Sequence, residues 1–332
     1  MTLPACDHLP DTRRIAVTGA TSFISRHVVA ELLKDRRLEV FALSTAPAGK
    51  ALAALAPPAG AGRLHVIGDV SYGNSSDLRA CLRHIRPDVM IHNAWNATTA
   101  ATRNDLAQAA NVEIARVLSS ASSAAGCQRA ICAGSQAEYG LSASVPFDER
   151  RPVTPISEYG LAKAESHRAW ARYFSGTLCW LRLFAVYGPG DAATSFIPSV
   201  TRSILTSDHV DLTAGGQLAD YVFVTDVATA MVAATSPDAA GAFDVGSGRS
   251  VPVRSVVRHV YRRVCDYSPG ARSCDLRFGK VPVAPHTPMV MRTDSTRLQR
   301  ATGWRPRTTL AHGLSDTVSW VCRSAGRLDA RP

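Results

Sequence analysis

The chain has 332 residues, 46% of them hydrophobic, enough for one large α/β domain or two unequal lobes over a shared core. No run of about 18 apolar residues occurs, and the start "MTLPACDHLPDTRR" has neither an apolar h-region nor a small-residue cleavage pattern, so a cytoplasmic protein is expected rather than a secreted or membrane-bound one. The formal net charge of +10 comes from basic residues dispersed along the chain, which speaks against nucleic acid as a partner and leaves a general field that favours an anionic small molecule.

Residues 1–12 read as a flexible leader. "RIAVTGA" follows as a buried strand ending in glycine, then "ISRHVVAELLKD" with Val28, Val29, Leu32 and Leu33 at helical spacing, then "LEVFALS" as a second strand. Together they make a βαβ unit. The Pro- and Gly-rich stretch "STAPAGKALAALAPPAGAG" reads as a surface excursion. Further strands are expected at "LHVIGDV", "DVMIHNA", "RAICAGS" and "LCWLRLF", alternating with helices near 75–85, 104–125 and 160–174. Such alternation predicts a Rossmann-type, doubly wound parallel sheet over residues 13–187, with ligands at the strand C-termini. After Gly188 the segments shorten and mix, with helices expected at 226–235 and 252–265. Residues 188–332 are therefore expected to form a smaller α/β substrate lobe, with "YVFVTDVATAM" and "FDVGSG" as the segments that could return to the first domain.

Eight cysteines occur without a C-x-x-C pair or neighbouring histidines, so reduced thiols are expected and no metal site. Three stretches carry chemistry. "VTGATSFIS" can turn tightly at Gly19 and aim the next helix N-terminus at a pyrophosphate, although a dinucleotide loop would normally have glycines where Ser22 and Ser25 stand. An ordinary strand-to-helix turn is the alternative. In "SEYGLAKAESH" Tyr159 and Lys163 are four apart on one helix face, where an ammonium can lower the pKa of a phenol and make it a usable proton donor and acceptor. That face could also be plain surface, but only four lysines occur in the chain. "AICAGSQAEYG" ends a strand in Gly134 and Ser135, placing a hydroxyl in the ligand crevice, where it can stabilise charge developing on a substrate oxygen.

Gly19, "IGDV", "IHNAW", Asn111, Ser135, "YGLAK", "LRLFAVYGPGD", "GGQLADYVFVTDVATAM", "FDVGSG" and "TDSTRLQRATGWRPRTTLAHGL", in this order, resemble the extended short-chain dehydrogenase/reductase family, in its nucleotide-sugar epimerase, dehydratase and reductase branch. The resemblance implies Tyr159 as general acid/base, Lys163 lowering its pKa and holding ribose hydroxyls, and Ser135 anchoring the substrate oxygen. It implies a nicotinamide cofactor held by Gly19, Thr21, Ser22, Phe23, Ile24, Ser44, Thr45, Asp69, Val70, Asn93, Ala94, Trp95, Asn111, Phe184 and Val186, together with Tyr159 and Lys163. Substrate contacts fall to Trp95, Ser135, Gln136, Ala185 and Phe196, and a homodimer through the Tyr-Lys helix is expected. Because "FALSTA" offers Ser44 and Thr45 where NAD-preferring members carry an acid, NADP(H) is expected ahead of NAD(H). Gln136 and Ala137 replace the Asp-Glu pair of dehydratases, so the expected reaction is reduction of a nucleotide-linked, dTDP-type 4-keto-6-deoxyhexose. A nucleotide-sugar 4-epimerase and an inactive protein of the same fold are the alternatives. Ala185 and Ala219 replace an Asn and an Arg that commonly bind the substrate diphosphate, with Arg202, Arg277 and Arg292 as candidate substitutes.

Overall fold

The β-branched and apolar runs become a seven-stranded parallel sheet. It is seen in a computed structural model that describes residues 12–55, 63–96, 102–141, 146–285 and 287–329. Strands are numbered along the chain: β1 (Arg13–Thr18), β2 (Leu38–Leu43), β3 (Leu64–Ile67), β4 (Val89–His92), β5 (Arg129–Ser135), β6 (Thr177–Leu183) and, from the C-terminal half, β10 (Gly241–Val245). Their order is β10-β6-β5-β4-β1-β2-β3, with every neighbouring pair parallel. The register sets Thr18 beside both Leu43 and His92, so the ends of β1, β2 and β4 form one edge. The switch in strand order at β1 opens the crevice there.

Alternate residues of each strand feed opposite cores, as the two-residue strand period requires. Ile15, Val17, Val40 and Ile131 face Val28, Val29 and Leu32 of α1 (Phe23–Leu32) and Val227, Ala230 and Met231 of α7 (Val224–Ala233). Ala16, Phe41, Met90 and Cys132 face α3 (Ser75–Ile85), α4 (Ala109–Ala124) and α5 (Glu158–Tyr173), which cover the other side with Leu82, Leu118 and Trp170 among others.

A third core lies in the C-terminal half. There α6 (Phe196–Thr206), α8 (Val253–Tyr267) and α10 (Leu310–Asp329) pack around two small sheets. One sheet joins β7 (Ala185–Tyr187), β9 (Leu218–Phe223) and β11 (Ser250–Pro252), and the other joins β8 (His209–Leu212) and β12 (Asp275–Phe278). "FDVGSG" does return to the large sheet as β10, whereas "YVFV" stays in the three-stranded sheet and only the helix after it, α7, rejoins α1. The Ala-rich stretch is a surface excursion with a helix inside it, α2 (Ala48–Leu55), in which only Ala51 is buried. Ala, Leu and Lys are strong helix formers once Pro47 is passed. Residues 1–11 of the expected leader lie outside the described residues, as does Cys6. The other seven cysteines are buried. Among the described residues, no helix is long and apolar enough to cross a membrane.

Candidate active site

At the end of β1 the chain turns on Gly19, whose φ is +60° and whose Cβ, if present, would lie 2.8 Å from the Ala94 Cα. Only glycine tolerates both conditions. The turn is fixed by the Gly19 amide, which donates to the Tyr72 hydroxyl at 2.8 Å, while that hydroxyl donates to the Leu43 carbonyl at 2.9 Å. Helix α1 then starts at Phe23 behind Ser22, with no side-chain cap bond and no acidic residue in its first turn. Amide groups and the positive end of the helix dipole are thus left for an anion beside Thr21, Phe23 and Ile24.

The two serines of this loop act on each other. The exposed Ser22 donates its hydroxyl to Ser25 Oγ at 3.2 Å, and the fully buried Ser25 donates to the Thr18 carbonyl at 3.4 Å. Where glycine would merely allow the helix near the strand, Ser25 bonds the two together.

Beyond β2, Ser44 is buried, its hydroxyl accepting from the Ala46 amide at 3.1 Å and lying 3.4 Å from Thr21 Oγ1, while Thr45 is exposed. The loop after β3 leans on this turn through the Asp69 amide to Ala46 O and the Val70 amide to Ser44 O. Asp69 is exposed at a φ of 56°, in the left-handed region that short polar side chains tolerate best, and Val70 is buried beneath it.

The loop after β4 is organised from below. Thr18 Oγ1 accepts from the Asn93 and Ala94 amides at 3.2 Å each and meets His92 Nδ1 at 2.9 Å. Burial pushes His92 down to about 3, so the ring is neutral. Asn111 holds the loop from the other side, accepting from the Asn96 amide at 2.8 Å and donating to its carbonyl at 3.2 Å. Trp95 stands between them, donating Nε1 to Gln108 at 3.0 Å.

Ser135, Tyr159, Lys163 and Trp95 converge at one place. The Ser135 hydroxyl, on a side chain at the end of β5 that is 8% exposed, hydrogen-bonds the Tyr159 phenol. Helix α5 presents Tyr159 and Lys163 on one face after its cap, Ser157, accepts from the Gly160 amide. Lys163 donates to the Ala133 carbonyl at 2.7 Å, with its ammonium 3.5 Å from the Trp95 ring centre, and the Trp95 ring meets Tyr159 edge-on at 5.8 Å. Gln136, beside Ser135, has its Oε1 buried without a partner.

The electrostatics correct the sequence reading. Burial raises the Tyr159 phenol above its ordinary value, outweighing the Ser135 hydrogen bond and the Arg103 guanidinium 5.3 Å from its ring. Lys163 is buried as well. Its own pKa is pushed down to about 7 by burial, against the opposing pull of Glu138 and Cys132.

Thr18, Tyr72 and Arg103 were not legible as site residues, because nothing in their spacing distinguishes them. Glu138 could have been found: Ser135-x-x-Glu138 is the spacing of a capping box. Glu138 is fully buried, accepts from the Ser135 amide at 2.8 Å, and pairs with Arg182 at 2.8 Å.

The remaining expected positions lie farther along the chain. Phe184 is buried with Tyr139, Phe147 and Met291, Val186 packs against the large core, and Ala185 is half-buried opposite Tyr221 in the small sheet. Phe196 lines a cavity of about 290 Å³ with Ser199, Thr213, Gly215 and Phe278, a cavity that Ser135, Tyr159 and Lys163 do not reach. Of the candidate cations, Arg277 pairs with Asp275, Arg292 is exposed, and Arg202 Nε is buried without a partner. Among the described residues no cluster of His, Cys, Asp or Glu could hold a metal.

Comparison with known proteins agrees with this geometry. UDP-glucose 4-epimerase of Mycolicibacterium smegmatis is 27% identical, the match covering 92% of this chain and 98% of the relative. The dTDP-6-deoxy-L-talose 4-dehydrogenase (NAD(P)(+)) of Kitasatospora kifunensis is 29% identical, over 94% and 96%. A 29% match to dTDP-L-rhamnose 4-epimerase of Burkholderia thailandensis covers 54% of this chain and spans only 50% of that relative. Among solved structures, MoeE5 in complex with UDP-glucose and NAD superposes with a TM-score of 0.76 at 28% identity, covering 94% of this chain and 99% of that one. DesIV, a dTDP-glucose 4,6-dehydratase from Streptomyces venezuelae solved as a double mutant, shares the fold with a TM-score of 0.81 at 24% identity, over 95% and 98%. The model of the NAD dependent epimerase/dehydratase family matches residues 15–246, most of the chain and all the residues that converge on Tyr159, and the chain belongs to that family.

Proposed function

We propose that this enzyme is an NADP(H)-dependent reductase of the C4 ketone in a nucleotide-linked 4-keto-6-deoxyhexose, with dTDP as the nucleotide. The observation that carries the reading is the convergence of the Ser135 hydroxyl, the Tyr159 phenol and the Lys163 ammonium at the end of β5. A protonated phenol at neutral pH is a general acid, the form needed when a ketone becomes an alcohol. Tyr159 donates its proton to the ketone oxygen, and Ser135 donates a hydrogen bond to that oxygen as negative charge develops on it. The carbon gains a hydride, which a bound nicotinamide supplies.

Residues of this chain fit such a cofactor. The Gly19 turn, in which a Cβ would strike Ala94, and the uncapped α1 N-terminus can take the pyrophosphate. Ser44 and Thr45 leave the adenosine ribose without a facing carboxylate, which supports NADP(H). Lys163 and the Trp95–Asn93 loop would hold the nicotinamide ribose. In this reading residues 13–187 chiefly carry cofactor and residues 188–332 chiefly carry sugar nucleotide. Leu161 and Tyr173, exposed on α5, support a homodimer through that helix.

A second reading is a 4-epimerase, favoured by the near full-length match to UDP-glucose 4-epimerase. The two separate on the nucleotide released from purified protein: tightly held NAD points to epimerisation, whereas empty protein that binds NADPH reversibly supports reduction.

A further inference from the structure

Glu138 has no part in the mechanism above, yet its carboxylate is buried beside it. Oε1 accepts from the Ser135 amide at 2.8 Å and from Trp180 Nε1 at 2.9 Å, and Oε2 accepts from Arg182 Nε at 2.8 Å. Ser135 answers by accepting from the Ala137 amide at 3.1 Å with its own Oγ. This reciprocal box pins the Ser135 backbone and occupies part of the acceptor capacity of its hydroxyl.

The fit leaves no slack. A Cβ at Gly134 would strike both Trp180 Nε1 and Glu138 Oε1. Arg182 continues the network to the Tyr139 hydroxyl at 3.1 Å, and Tyr139 donates to Asp244 at 2.8 Å.

We propose that Glu138 is a positioning residue for the reaction: through the Ser135 amide it fixes the Ser135 hydroxyl against Tyr159, and its carboxylate, paired with Arg182, acts electrostatically on Lys163. The inference rests on the proposed roles of Ser135, Tyr159 and Lys163. The charged and titratable groups that interact with Glu138 are Arg182 on β6, Asp244 on β10, and Tyr159, Lys163 and His167 on α5, with Tyr139 joined to it through Arg182. Its negative charge raises the pKa of both Lys163 and Tyr159. Removing it therefore makes both release their protons at lower pH.

Four lysines make the test direct. Biosynthetic labelling with ¹³Cε-lysine gives few resonances, and Lys163→Met assigns the one of interest. Glu138→Gln is expected to lower the Lys163 midpoint by about one pH unit, a tenfold loss of proton affinity, and to move the pH profile of NADPH oxidation with a dTDP-linked 4-keto-6-deoxyhexose the same way. Glu138→Asp, which keeps the charge but shortens the reach to the Ser135 amide, is expected to keep the midpoint and still lose kcat. If Glu138→Gln fails to fold because Arg182 is left unpaired, Glu138→Asp, which keeps that pair charged, carries the test through kcat alone, and an unchanged kcat there overturns the proposal. An unmoved Lys163 midpoint in folded Glu138→Gln overturns the proposal. If Tyr159→Phe abolishes turnover while that midpoint stays put, only this inference fails; if Tyr159→Phe turns over normally, the functional reading fails first.

Discussion

Replacing Lys163 with methionine is expected to make the protein more stable while removing its activity. Lys163 is 5% exposed, and burial takes its pKa from 10.5 to about 7. By linkage that difference corresponds to about 4–5 kcal/mol of native-state cost while the group is charged in the unfolded chain. The hydrogen bond to Ala133 O and the contact with Trp95 favour the charged form and belong to that net shift. The variant should therefore gain about 4 kcal/mol at pH 7, methionine being long and adaptable enough to fill the space.

The pH dependence has a definite sign. Below about 7 both states hold the proton and the cost is complete. Between about 7 and 10.5 the unfolded chain holds a proton that the native protein has lost, so raising the pH stabilises the wild type, and above 10.5 the cost is gone. Urea denaturation of wild type and Lys163→Met at matched pH values measures the difference directly, because contributions from other groups cancel. The stability gap should close by about 4 kcal/mol between pH 7 and pH 10.5. A gap that stays flat across that range would refute a buried, depressed Lys163.

Tyr159→Phe is expected to lower kcat by about 10²–10⁴ while changing the cofactor Kd by less than about threefold, since the phenol matters in proton transfer; steady-state kinetics beside a fluorescence titration compares the two losses. Ser22→Gly should tighten cofactor binding severalfold by baring the backbone at the pyrophosphate, and equilibrium titration checks it. Ser25→Gly should not tighten it, because that hydroxyl is turned to the Thr18 carbonyl; it should instead cost about 2 kcal/mol of stability in urea, through a lost buried hydrogen bond and a glycine within a helix. Thr45→Asp places a charge on an exposed position at the end of β2 and should weaken NADPH binding about tenfold relative to NADH, measured by competition.

Most of the sheet was legible because each buried strand is a short, largely apolar run bounded by Gly or polar residues, and because the helices between them repeat their apolar residues at 3.6 spacing. Segments after Gly188 were less so. Strands β7, β11 and β12 have only three or four residues, too few to show a period, and α6 and α10 take their burial from a core assembled across distant parts of the chain. At the site, residue types and order brought Ser135, Tyr159 and Lys163 together, and the structure places them within one contact network. Protonation was not legible. The sequence shows that Lys163 is near Tyr159 but not that both are buried, and burial reverses the expected direction for the phenol. Likewise the serines at 22 and 25 read as lost glycines, whereas their hydroxyls form a chain back to β1.

The most direct test is to supply a dTDP-linked 4-keto-6-deoxyhexose with NADPH and follow absorbance at the nicotinamide band while sugar products are separated. Reduction predicts one NADPH consumed for each 4-hydroxy sugar formed, and almost none with Tyr159→Phe. Interconversion of two nucleotide sugars with no net NADPH consumed, by protein that already carries NAD, would contradict it and establish the epimerase.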